Sequence, residues 1–284
     1  DFLTKVANID QHVRYSEPVM SHEQIEDFVK FVRPTISYNW DPEAQANEAR
    51  ASLNGIVREQ VRALSTLDMN NTVFVHGAAG TGKTYLVLNW ANRALRDGKR
   101  VLITCYNEPL ADYLALQFSE EQNIVVSAYL KIPEAVEGFP ALPVPNPLPR
   151  DWWDTAPLAH IKKYASQLSN QFDTIIVDET QDFNGEWINS LIELHDPEGS
   201  QSLLMVGDWQ QNIYQRDGKE AVDALAPTEA ELVLNCRNSH EIGNLLYNLG
   251  GAQVANASPD GQGLYFEYVT DMDSLVHWVE HFLE

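Results

Sequence analysis

From Val73 onward, short β-branched and apolar runs alternate with longer stretches whose apolar residues recur at helical spacing. The runs are Thr72–His76, Arg100–Thr104, Thr174–Val177, Leu203–Val206 and Glu231–Leu234, and the first is followed by an amphipathic stretch, Tyr85–Leu95. Strands alternating with helices predict βαβ units and a mainly parallel sheet flanked by helices, an α/β fold. Upstream, residues 1–48 are polar and helix-leaning. There Ser21 is placed to cap a helix whose Ile25, Phe28, Val29 and Val32 share one face and which ends before Pro34. Downstream, Gly263–Glu284 predicts one strand (Leu264–Val269) and one helix (Met272–Leu283), and stops without closing a second domain. The pattern divides the chain into a helical lead-in (1–48), an α/β domain (49–230) and the beginning of a second lobe (231–284).

The stretch Pro140–Pro149 carries prolines at 140, 143, 145, 147 and 149, which excludes helix and central strand and predicts a connecting loop or insertion. A partner-binding polyproline segment is the other reading of the same composition. No window approaches the ~18 uninterrupted apolar residues of a membrane span. No charged n-region followed by an apolar h-region opens the chain, so the sequence reads as soluble and cytoplasmic. A start at Asp1 without Met reads as a piece of something longer. Cys105 and Cys236 lie far apart, as two reduced thiols rather than a disulfide scaffold.

Charge narrows the function. Lys and Arg total 19 against 41 Asp and Glu, a formal net charge of −22, and after Lys163 the only basic residues are Arg216, Lys219 and Arg237. A protein that neutralises phosphates normally carries a basic footprint, so any nucleic-acid role must rest on a local groove.

Gly77-Ala78-Ala79-Gly80-Thr81-Gly82-Lys83-Thr84 fits G-x-x-x-x-G-K-[ST] between a predicted strand and a predicted helix. The glycines let successive backbone N–H groups turn inward and form an anion nest at a helix N-terminus. In that arrangement Lys83 bridges the β- and γ-phosphates and the Thr84 hydroxyl binds Mg²⁺. A second run, Phe172–Val177, reads as a buried β run and ends in Asp178-Glu179. Ligands of parallel sheets sit outside the carboxyl ends of the strands. Asp178 is therefore placed to hold Mg²⁺ through its water shell, and Glu179 to orient and deprotonate the water that attacks the γ-phosphate. Together these residues predict a P-loop ATPase.

With the phosphate loop, four further segments in order across residues 60–240 resemble the superfamily 1 helicases of the UvrD/Rep type. Asp178-Glu-Thr-Gln-Asp182 is similar to that family's D-E-x-Q-D box, and Val206-Gly-Asp208-Trp-Gln-Gln211-Asn-Ile-Tyr214 to its G-D-x-x-Q-x-I-Y motif. Leu234-Asn-Cys-Arg237-Asn-Ser is similar to its N-Y-R-S motif, and Val101–Leu114 to the motif after the phosphate loop. The resemblance implies a RecA-like P-loop NTPase fold with a truncated second lobe. It assigns adenine reading to Gln60, γ-phosphate sensing to Gln211, and an arginine finger to Arg237. It places contacts to single-stranded nucleic acid, DNA before RNA, at Tyr106, Asn107 and Tyr214, with ordinary packing as the alternative for the tyrosines; Trp209 and Trp152-Trp153 are further aromatic candidates. The wording Cys105-Tyr-Asn-Glu-Pro-Leu-Ala resembles a branch linked to a nuclease-related domain, which would lie upstream of Asp1.

The chain also departs from the family. Asn54 and Gln60 do not keep the L-N-x-x-Q spacing, and Tyr214 is followed by Gln-Arg-Asp-Gly rather than Trp-Arg-Gly-Ala. The T-x-H-x-x-K-G-L and T-R-A motifs of the second lobe are absent from the sequence, which predicts poor hydrolysis by these residues alone. Three functions follow: an ATP-driven helicase or translocase motor; a nucleotide-gated switch that regulates an attached effector; and a small-molecule kinase, which Glu179 and the third motif disfavour. His277 and His281, with Glu280, lack a third metal ligand at motif spacing and read as an exposed helix face. Asp196, Glu198, Asp271 and Asp273 read as solvated acidic surface, and His76 as a strand-end side chain.

Overall fold

The computed structural model describes residues 51–254, except 52, 53, 63, 150, 151, 169, 170 and 249, together with residue 258. The expected lead-in helix after Ser21, the strand and helix of the tail, and His277, His281, Asp271 and Asp273 lie outside the described residues.

A helix, α1, covers residues 54–62. Then follow β1 (Thr72–Gly77), α2 (Lys83–Arg96), β2 (Val101–Cys105), α3 (Glu108–Leu116) and β3 (Ile124–Ala128). After the proline-rich stretch come α4 (Trp152–Tyr164), β4 (Thr174–Val177), α5 (Gly185–Ile192), β5 (Ser202–Gly207), α6 (Gly218–Ala224) and β6 (Thr228–Leu232). A small pair, β7 (Leu234–Asn235) and β8 (Gln253–Val254), brackets α7 (His240–Asn248). The six main strands form one parallel sheet in the order β3-β2-β4-β5-β1-β6. This is the α/β fold, a parallel sheet flanked by helices, that the alternation of strands and helices predicts.

Strand residues feed opposite faces of the sheet in turn, because successive Cβ atoms alternate. Phe74, Leu102, Ile175, Val177, Leu203 and Met205 pack with Tyr129, Phe183, Trp187 and Leu191 on one face. Val73, Val75, Ile103, Ile176, Leu204 and Val206 pack with Leu86, Val87 and Trp90 on the other. Both faces are covered, which is why β2 and β4 are buried at every position and are mostly apolar and β-branched in sequence.

Two differences from the sequence expectation have physical causes. β3 was not predicted; it is an edge strand, and Ile124, Val125 and Val126 are only partly covered. The run expected at Glu231–Leu234 is two strands, since β6 pairs with β1 as far as Leu232 and β7 pairs with β8 from Leu234, with Val233 exposed between them. Residue 231, where the second lobe was expected to begin, therefore falls inside β6 of the main sheet. The proline-rich stretch has neither helix nor strand, as its composition requires.

Candidate nucleotide site

The order of the strands sets the site. β1 delivers the phosphate loop at its carboxyl end, β4 delivers Asp178 and Glu179 at its own, and β5 lies between the two. All three therefore open onto one edge of the sheet.

The loop is built by glycines that have no substitute. Gly80 and Gly82 have φ of +82° and +92°, a region costly for residues with a Cβ. At Gly77 an added Cβ would stand 2.6 Å from Thr81 Oγ1 and 2.9 Å from Lys83 Cγ. α2 starts directly after Gly82 with no side-chain cap, so its first N–H groups remain available to an anion. Thr81 is committed to the loop itself, its hydroxyl donating to Ala78 O at 2.8 Å.

Lys83 is buried and donates from Nζ to Gly77 O at 2.9 Å, while the same Nζ lies 3.8 Å from Glu179 Oε2. The lysine that ends the loop and the first residue after Asp178 thus meet side chain to side chain. Asp178 is fully buried, its backbone N–H donating to Thr104 O at 2.9 Å as a continuation of the β2–β4 ladder. Its Oδ1 accepts the Glu179 N–H, whereas Oδ2 is buried with no hydrogen-bond partner. Burial pushes the Asp178 carboxyl up to about 7, and the Glu179 charge adds to this; the Glu179 amide, Lys83 and the Thr84 hydroxyl pull the other way. A buried carboxylate oxygen without a donor beside a threonine hydroxyl is an all-oxygen donor set that suits a hard cation. Among the described residues no cluster of three or more His, Cys, Asp or Glu could hold a metal by itself. Such a donor set matches Mg²⁺, which keeps waters and takes its remaining ligands from phosphates.

Glu179 has φ of +52°, a left-handed conformation uncommon outside glycine and asparagine. It turns the chain from β4 toward a short 3₁₀ turn, Thr180–Asp182, so that the carboxylate faces Lys83. Gln181, buried, donates from Nε2 to Glu179 Oε2 at 2.7 Å and accepts the Asp208 N–H on Oε1 at 3.0 Å. Gln211 in turn donates to Asp208 Oδ2 at 2.7 Å. Lys83, Glu179, Gln181, Asp208 and Gln211 form one continuous polar chain. Gln181 and Asp208 have no assigned role in the sequence reading, although both lie in its motifs; nothing in the spacing shows that the Gln181 side chain meets the Asp208 backbone. Asp182 is also shifted, up to about 6, by burial and the Glu179 charge, with Arg216 opposing.

The remaining expected site residues are arranged as follows. Gln60 is half-buried, and its carboxamide is engaged with the backbone of one residue: Nε2 donates to Leu234 O at 3.2 Å and Oε1 accepts the Leu234 N–H at 3.0 Å. Arg237 has an exposed side chain, and its backbone N–H donates to Asn235 Oδ1 at 3.2 Å. Asn107 caps α3, its side chain accepting the Leu110 N–H. Tyr106 lies stacked on Trp187 at 5.9 Å between ring centroids and meets the exposed Tyr214 edge-on at 5.2 Å, with the Arg216 guanidinium 5.7 Å from its ring. Trp209 stacks on Phe74, and of the neighbouring pair Trp152 is buried and Trp153 exposed. His76 sits at the strand end near Glu229, as expected. Both cysteines are free and buried; burial and the Asp178 charge push the Cys105 thiol up to about 12, and burial pushes Cys236 up to about 11. No helix among the described residues is long and apolar enough to cross a membrane.

Residues 60–217 match the AAA domain family. No curated protein matches the chain. Among solved structures, the Pif1 helicase from Candida albicans is similar at 20% identity and a TM-score of 0.41, over 61% of this chain and 39% of that one. A DNA replication initiation factor is similar at 15% identity and a TM-score of 0.32, over 70% and 48%. AMPPCP-bound DnaA from Aquifex aeolicus is similar at 18% identity and a TM-score of 0.32, over 62% and 44%. The chain spans less than half the length of each of these three.

Proposed function

The chain belongs to the AAA domain family, and from that premise we propose that it is the ATP-hydrolysing part of a helicase or translocase motor of the superfamily 1 type, acting on single-stranded nucleic acid. The observation that carries the reading is the approach of Lys83 Nζ to Glu179 Oε2, 3.8 Å apart, beside the partnerless buried oxygen of Asp178. That approach brings a cationic side chain and a candidate general base together beside the glycine-built turn.

In this reading the backbone amides of residues 80–84 bind the phosphates, and Lys83 exchanges Gly77 O for phosphate oxygens. Thr84 and Asp178 would hold Mg²⁺, which would supply positive charge beside the phosphates. Glu179 orients the attacking water and accepts its proton, with its carboxylate fixed by Gln181. The polar chain through Asp208 extends this hold to Gln211, which senses the γ-phosphate. Arg237 stabilises charge developing in the transition state. Gln60 reads the adenine edge with the same donor–acceptor pair that holds the backbone N–H and carbonyl of Leu234. Tyr106 and Tyr214 contact bases at the nucleic-acid end, and a nuclease-related domain joined to the motor completes this reading.

ATP turnover measured with and without single-stranded DNA tests it. The wild-type protein should hydrolyse ATP faster with DNA, and Lys83→Ala or Glu179→Gln should each lower kcat by about 10²–10⁴-fold. A DNA-independent rate that responds instead to a protein partner would favour the nucleotide-gated switch, for which the net charge of −22 is the supporting observation.

A further inference from the structure

The segment after β6 lies against the tip of the phosphate loop. Asn235 is buried and donates from Nδ2 to Ala79 O at 3.2 Å. Its Oδ1 accepts the N–H groups of Arg237 and Asn238, each at 3.2 Å. The next residue adds a backbone contact, the Cys236 N–H donating to Gly80 O at 2.8 Å. The fit is tight, since a Cβ on Gly80 would stand 2.9 Å from Asn235 Oδ1 and 3.0 Å from its Nδ2. On the far side Gln60 holds Leu234 through both its N–H and its carbonyl.

We propose that Asn235 is a positioning residue for ATP hydrolysis, one whose carboxamide ties the phosphate loop to the backbone of Arg237 and so sets where that guanidinium stands relative to the γ-phosphate. This rests on the reading of Arg237 given above. The carboxamide is suited to the task because one end is a donor and the other an acceptor, so a single side chain satisfies a loop carbonyl and a turn of two N–H groups. Asn235 touches neither water nor phosphate in this scheme; it acts through Arg237. A small displacement of a charge-stabilising group is enough to cost most of its effect.

The test is a double-mutant cycle on Asn235→Ala and Arg237→Ala in the full chain, with kcat from ATP turnover and affinity from a fluorescent ATP analogue with Mg²⁺. Asn235→Ala should lower kcat by about 10–100-fold while affinity changes by less than about threefold. The double variant should be no slower than Arg237→Ala alone, because the arginine is the only route by which Asn235 acts. Asn235→Ser, whose hydroxyl can still cap the turn, should recover part of kcat. Losses that multiply in the double variant, or a fall in affinity as large as the fall in kcat, would overturn the role of Asn235. A wild-type protein that fails to bind the analogue would instead remove the nucleotide-site reading beneath it.

Discussion

Gln181 donates to the carboxylate of Glu179 at 2.7 Å while its other end takes the backbone N–H of Asp208. One buried carboxamide thereby aims the residue that faces Lys83 and joins the turn after β4 to the turn after β5. Gln181→Ala should lower kcat by about 10–100-fold with KM little changed, because it frees the carboxylate without touching the phosphate loop. Steady-state ATP turnover decides this, and a matched loss in KM would place Gln181 in binding instead.

Asp178 should make the nucleotide-free protein pay at neutral pH for its burial. Its carboxyl is raised from 3.8 in an exposed chain to about 7 in the fold. Between those values the folded state binds the extra proton, so stability falls as pH rises through this window and the full penalty is present above it. Asp178→Asn removes the titrating group. The variant should melt about 3–6 °C above wild type at pH 8, with the difference closing toward pH 4, and it should lose Mg²⁺-dependent nucleotide binding. Thermal melts across that range in the absence of nucleotide give the comparison.

Gly80 combines a φ of +82° with direct contact to Asn235. Gly80→Ala should cost about 1–3 kcal/mol in stability and weaken nucleotide binding. Denaturant unfolding alongside analogue titration separates the two effects.

Gln60 should matter even without nucleotide. Replacing it with Ala breaks both hydrogen bonds to Leu234 and should destabilise the free protein by about 1–2 kcal/mol. If Gln60 also reads adenine, the variant should lose preference for ATP over GTP, which competition binding measures. Unchanged selectivity would confine the residue to holding the β7 segment.

Much of this protein is readable along the chain because it depends on local chemistry. A phosphate loop needs glycines that can take φ above zero, a lysine, and a strand and helix on either side. All of these are contiguous between Thr72 and Arg96. The same holds for β4, where burial on both faces demands a mostly apolar, β-branched run before Asp178. What only the tertiary structure decided are the contacts between residues far apart in sequence. Strand order brings Glu179 to Lys83, Gln181 to Asp208, and Asn235 to Ala79; it also occupies Gln60 with Leu234 and leaves β3 at a half-covered edge. Motifs record which groups are present, whereas side-chain pairing depends on distances of a few ångströms that are set when the sheet assembles and its two faces are packed.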